Sequence, residues 1–138
     1  MIENISEHIT YLEATKTNTG LLNKPDDGQL IAMQNTAKRL FEPLREWYKK
    51  PIIVNSFFRS ETVNRIVGGS KTSQHCKGEA IDLTAYDKTE NRNLFFHVLR
   101  ELDYDQLIWE KGNTDYPNWI HVSFRLNGKN RKQVIYNL

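Results

Sequence analysis

The sequence predicts an α+β fold in which a small, largely antiparallel sheet is backed by helices. Three observations lead there. Apolar residues recur at three- and four-residue steps over residues 29–49 and again over 87–102. Five short segments rich in β-branched and aromatic residues follow or interrupt them. The order is helices, strand, helix and then mostly strands on short loops, not a regular strand–helix alternation.

The elements follow in order. Residues 1–25 are a mixed lead-in, with a short helix expected over 6–14 and then a polar loop through Asn18, Gly20, Asn23 and Pro25. The first long helix, 29–49, has the stripe Leu30, Met33, Ala37, Leu40, Phe41, Leu44 and Trp47. Pro43 lies inside it, so the helix must kink or divide there. Residues 51–58 form a buried strand. A short helix over 61–67 is stopped by Gly68-Gly69. A strand is expected over 79–85. Asp87 and Glu90 have the spacing of a capping box opening a helix to Leu102. Strands are expected over 106–110, 119–124 and 133–136, the last two joined by a turn at Asn127-Gly128.

The 138 residues suit one domain. A net charge of +2, evenly spread, gives no reason to expect nucleic-acid binding. No apolar run approaches bilayer length, so membrane insertion is not expected. The N-terminus lacks the pattern of a signal peptide, which points to synthesis in the cytoplasm. A single cysteine, Cys76, excludes an intrachain disulfide and a cysteine-rich metal site.

The chemistry concentrates in Ser73-Gln74-His75-Cys76-Lys77-Gly78-Glu79-Ala80-Ile81-Asp82-Leu83. Zinc accepts imidazole nitrogen and carboxylate oxygen, and a catalytic site leaves a position for water. His75 falls in the loop before a strand, with Gly78 allowing a sharp turn into it. Strand alternation puts Ala80, Asp82 and Thr84 on one face and Ile81, Leu83 and Ala85 on the core face. In Trp119-Ile120-His121-Val122-Ser123-Phe124, His121 and Ser123 share a face with Trp119. If the two strands are neighbours, His75, Asp82 and His121 converge on one ion. The other reading is a loop histidine and an exposed strand carboxylate. His97, on an amphipathic helix, and His8, in the lead-in, are expected to be packed or surface histidines. Cys76 is expected to be a small packed thiol.

At these residues the chain resembles the zinc D-Ala-D-Ala carboxypeptidases and related phage endolysin peptidases, in their small single-domain branch. Ser73, His75, Gly78, Ala80 and Asp82 match the family's Ser-x-His-x-x-Gly-x-Ala-x-Asp motif, and Trp119-Ile120-His121 matches its Trp-x-His strand. A third motif is carried by Phe58-Arg59-Ser60 with Asn64 and Gly68-Gly69. The resemblance implies a fold shared with the hedgehog signalling domain. It implies zinc held by His75, Asp82 and His121, and Arg59 in the active site. A guanidinium there would polarise the scissile carbonyl or hold a substrate carboxylate; the alternative is a structural ion pair. Ser73 either binds substrate or closes its own turn. Trp119, with Trp109 and Tyr116, either walls the substrate site or packs elsewhere.

Many members of the wider family place an acidic general base three residues before the last histidine. Here that residue is Asn118, and an amide cannot accept the proton. Glu110 is the candidate replacement, reached if residues 106–110 pair antiparallel with 119–124, and the alternative is a surface glutamate at a hairpin; Asp115 is the weaker candidate. The reaction implied is zinc-dependent hydrolysis of peptide bonds in peptidoglycan stem peptides or cross-links. The protein would act as a monomer on the cell wall, after release or as a virion component. The competing expectation is a non-catalytic zinc-binding domain of the same fold, serving a phage particle or a partner.

Overall fold

The computed structural model describes residues 3–138. The lead-in differs from the helix expected over 6–14. Strands β1 (Asn4–Ser6) and β2 (Ile9–Thr10) pair antiparallel, and helix α1 (Tyr11–Thr15) starts only after them. Thr10 opens α1 as a capping box: its hydroxyl accepts from Glu13 N at 3.0 Å, and the Glu13 carboxylate accepts from Thr10 N at 2.9 Å. Ile5, Ile9 and Ala14 from this segment are buried in the same core as the main sheet.

The long helix divides near Pro43. Helix α2 (Asp27–Thr36) passes into a π-helical stretch, Ala37–Phe41, and then into helix α3 (Glu42–Tyr48). Proline has no N–H to offer the turn before it. The chain answers with a widened turn in which Glu42 N–H donates to Ala37 O, five residues back. Met33, Ala37, Leu40, Phe41 and Leu44 of the expected stripe are buried, whereas Trp47 at its end is 45% exposed.

The main sheet contains β3 (Ile52–Ser56), β4 (Ala80–Ala85), β5 (Gln106–Glu110), β6 (Trp119–Ser123) and β7 (Gln133–Asn137). Their order is β3-β4-β6-β5-β7. Every pairing is antiparallel except β5 with β7, so the sheet is mixed. The turn at Asn127-Gly128 forms, with Gly128 N–H donating to Arg125 O at 2.9 Å. It does not make a β6–β7 hairpin, because β4 and β5 already occupy both edges of β6. The chain instead runs on to the outer edge of β5.

Helix α4 (Glu61–Ile66) follows β3, and α5 (Asn91–Glu101) follows β4. The expected Asp87–Glu90 capping box is absent. Asp87 caps a short 3-10 turn, and the Glu90 carboxylate instead accepts from Tyr48 and Lys50. One face of the sheet, including Ile81, Leu83, Leu107, Trp109, Ile120 and Val122, belongs to the buried core with Leu40, Leu44, Leu94, Phe95 and Val98. Each such side chain contributes on the order of 1.5–3 kcal/mol by leaving water. No helix among the described residues is long and apolar enough to cross a membrane.

Candidate metal centre

The opposite face of the sheet carries the chemistry. Pairing in register sets Asp82 beside His121 and His121 beside Ile108, so these three residues form one row across β4, β6 and β5. All six residues of β4 are buried, so the expected polar face of this strand is covered along its length. Thr84, for example, is hydrogen-bonded to Asn91 at the start of α5.

His75 comes from outside the sheet, on the 3-10 turn Gln74–Lys77. The Ser73 hydroxyl opens that turn by accepting from His75 N at 3.2 Å. Gly78 closes it at φ +74°, a conformation that side chains other than glycine resist. A Cβ at this position would also lie 2.6 Å from Gln29 O and 2.7 Å from Met33 Cγ. Helix α2 holds the turn from that side through Gln29 Nε2 to Cys76 O, 3.1 Å, and Thr36 Oγ1 to Gly78 O, 2.9 Å. His75 is left 2% exposed and aimed at Asp82.

His75 Nδ1 lies 2.7 Å from the Phe57 carbonyl, a contact that fixes the ring and turns Nε2 toward Asp82. That Nε2 is 3.3 Å from Asp82 Oδ2, and His121 Nδ1 is 2.9 Å from Asp82 Oδ1. The two rings meet edge to face, centroids 5.2 Å apart. Burial works to raise the Asp82 pKa, but hydrogen bonds from His121 and His75 outweigh it and hold the carboxyl well below the usual range. One donor atom from each residue lies within 4.8 Å of the other two. Tetrahedral bonds of ~2 Å require donors roughly 3.3 Å apart, so small shifts bring all three into range. Two nitrogens and one carboxylate oxygen, opening onto a cleft, fit zinc with a coordination position to spare.

Arg59 stands beside the triad, its Nη2 3.6 Å from Asp82 Oδ2. Its Nε donates to Ser56 Oγ at 3.1 Å and its Nη1 to Asn64 Oδ1 at 3.4 Å. The Asn64 amide also donates to Ser70 O at 2.8 Å. A Cβ at Gly69 would collide with the Asn64 side chain, which accounts for glycine there. Asn23 was not singled out from the sequence. Its amide donates to Thr15 O and to Phe58 O, both at 2.9 Å, while its oxygen accepts from Ser60 N at 2.7 Å. It thereby grips the backbone on both sides of Arg59. An isolated loop asparagine carries no periodic signal that would have marked it.

The three donors line a cleft of about 490 Å³ together with Arg59, Ser73, Glu110 and Trp119. Glu110 pairs in register with Trp119, one diagonal step from His121. Its Oε1 accepts from Asn137 Nδ2 at 2.7 Å, a contact created by the parallel β7 edge. Gln74, Gln106 and Arg131 form the other end of the cleft. Arg131 also went unnoticed in the sequence, because a basic residue after a turn looks like ordinary surface.

Other candidates separate from this cleft. Trp109 is 2% exposed, faces the core and packs edge to face on Phe95, so it is no part of a substrate wall. Tyr116 and Asp115 do not line the cleft. Cys76 lines a separate, larger hollow beside α2, and burial pushes its thiol pKa up, away from nucleophilic behaviour. His97 stacks on Trp47 at 4.1 Å. His8 pairs with Glu42 at 2.6 Å; with Glu7 these two make a second cluster of donor atoms, which ties the N-terminal hairpin to α3.

No curated protein matches the chain. The Peptidase M15 family matches residues 6–123, a span that contains the triad, Arg59 and Glu110. The match covers most of the sequence, and the chain belongs to this family of zinc D-Ala-D-Ala carboxypeptidases.

Proposed function

We propose that this protein is a zinc metallopeptidase that hydrolyses peptide bonds in peptidoglycan stem peptides or cross-links. The observation that carries the reading is the meeting of His75 Nε2, His121 Nδ1 and the ionised Asp82 carboxylate at one point of an open cleft. His75, Asp82 and His121 hold the metal. When bound, zinc supplies Lewis acidity that polarises a carbonyl and acidifies water. Glu110 takes the proton from the attacking water and passes it to the leaving amine, supported by its position on the cleft wall one step from His121. Arg59 stabilises the developing oxyanion with a guanidinium oriented by Ser56 and Asn64. Trp119 and Ser73 bind substrate, and Ser73 also closes its turn.

The resemblance extends the proposal. Residues 1–138 act as one monomeric catalytic domain of the hedgehog and DD-peptidase kind. It reaches the wall after release, as a phage endolysin or virion component does. The experiment is clearance of purified cell walls by zinc-loaded protein. Wild type is expected to reduce turbidity, and His121→Ala to lose at least ~100-fold of the rate. Undiminished clearance by His121→Ala would refute the reading.

A second reading is favoured by one residue. Asn118 occupies the position where an acidic base stands in many relatives, and its backbone, not its side chain, is what the fold uses. Asn118 N–H donates to Glu110 O, and Asn118 O accepts from Asn91. If Glu110 is not the base, the same metal centre belongs to a non-catalytic binding domain. Zinc retention without hydrolysis of any wall would decide for that reading.

A further inference from the structure

We propose that Arg131 forms a subsite for a substrate carboxylate at the end of the cleft opposite Glu110. The inference rests on the peptidase reading and adds the substrate feature that the cleft selects.

The strand register gives the cleft a direction. Ile108 sits in the row of Asp82 and His121. Glu110 lies two residues further along β5, and Gln106 two residues back, each about 7 Å from Ile108 at strand rise. Gln106 Nε2 donates to Gln133 Oε1 at 2.7 Å, which brings the start of β7, and Arg131 just before it, to the Gln106 end. The cleft therefore has an anionic end at Glu110 and a cationic end at Arg131, with the triad between them.

Arg131 is built into place. Asp105, with no exposed surface, accepts from Arg131 Nε at 3.1 Å and Nη2 at 2.8 Å, and from Arg131 N at 2.9 Å. The same carboxylate takes Gln74 Nε2 at 3.0 Å and Arg125 Nε at 3.1 Å. Gln74 is the neighbour of His75, so this network is continuous with the metal centre. Two guanidinium groups face one buried carboxylate, which leaves a surplus positive charge. Arg131 Nη1 has no protein partner among the described residues, and the side chain remains 46% exposed. A second pocket continues from this point, sharing Thr72, Gln74 and Arg131 with the cleft and adding Lys77, Arg125 and one acid, Glu79. A planar cation locked on one edge and open on the other is suited to a carboxylate. A neutral amide in the same place forgoes the charge-assisted bonds with the guanidinium.

Stem peptides supply such a group, since their glutamyl residue has a carboxyl that is either free or amidated. The test uses two synthetic stem pentapeptides differing only there, titrated calorimetrically into zinc-loaded wild type, Arg131→Gln and Arg131→Lys. The ratio of the two affinities on one preparation does not depend on how much of that preparation is folded. Wild type is expected to bind the free acid at least tenfold more tightly than the amide. Arg131→Gln should bring the two within about threefold of each other, and Arg131→Lys should fall between. Equal affinities in wild type, or an undiminished preference in Arg131→Gln, would overturn the subsite. Hydrolysis of both peptides is followed in parallel. Selective binding without cleavage of either peptide would contradict the peptidase reading while leaving the subsite standing.

Discussion

A carboxylate hemmed in by two imidazoles and a guanidinium stays ionised only because each neighbour gives it a proton or a charge. Asp82 is in that position, and the same contacts prepare it to bind a cation. The neighbouring arginine depends on a residue that touches nothing reactive. Asn23 donates to Phe58 O and to Thr15 O and accepts from Ser60 N, and Asn23→Ala would leave these three backbone groups without their partner. Each loss costs on the order of 1 kcal/mol, and more where no water replaces the amide. The variant is expected to lose about 3 kcal/mol of stability by urea unfolding. Its kcat should fall more than its zinc affinity does, because Arg59 moves while the triad stays. Equal loss of zinc and activity would show that Asn23 supports the whole centre.

At the scale of elements, the sequence was most informative where periodicity and chemistry agreed. The alternation in residues 80–85 and 119–123 put Asp82 and His121 on one face, and the register of β4 with β6 makes them direct partners. It was least informative where a local signal met a distant constraint. Asn127-Gly128 turns as expected, yet β7 goes to the β5 edge because no edge of β6 is free. The strands of the β1–β2 hairpin are only three and two residues long, too few for alternation to register against the helix that follows. The residues between β6 and β7 are organised by Asp105, whose role emerges only once Arg125, Arg131 and Gln74 surround it. Burial works to raise the Asp105 pKa, but the hydrogen bonds and charge of Arg131 prevail and lower it to about 2, against an ordinary 3.8. A carboxylate depressed on folding stabilises the protein above its unfolded pKa, and that contribution fades as pH falls toward the folded one. Asp105 is thus worth roughly 2 kcal/mol of pH-dependent stability, full at pH 5 and fading between about pH 4 and 2. Urea unfolding of wild type and Asp105→Asn should show a gap that narrows over that window. A gap constant with pH would mean that Asp105 is not ionised in the fold.

For the molecule as a whole, the centre joins parts of the chain that are distant in sequence. His75 hangs from α2 and from the Phe57 carbonyl, Asp82 belongs to β4, and His121 to β6. An ion shared among them would bind the folded chain and not the unfolded one. Zinc at ~1,000 times its dissociation constant is worth about 4 kcal/mol. For a chain of this length that corresponds to a Tm higher by on the order of 10 °C, reversed by chelation. Calorimetry with and without zinc checks it, and an unchanged Tm would deny that the three residues act together on one ion.

In the proposed mechanism this centre performs hydrolysis with Glu110 as the base. The most direct measurement is digestion of purified peptidoglycan by zinc-loaded wild type beside zinc-loaded Glu110→Gln, with zinc content determined in both and fragments identified by mass spectrometry. Wild type is expected to release defined peptide fragments. Glu110→Gln should keep its zinc and lose at least ~100-fold of the rate. Full activity in Glu110→Gln, or intact walls after treatment with zinc-replete wild type, would contradict it.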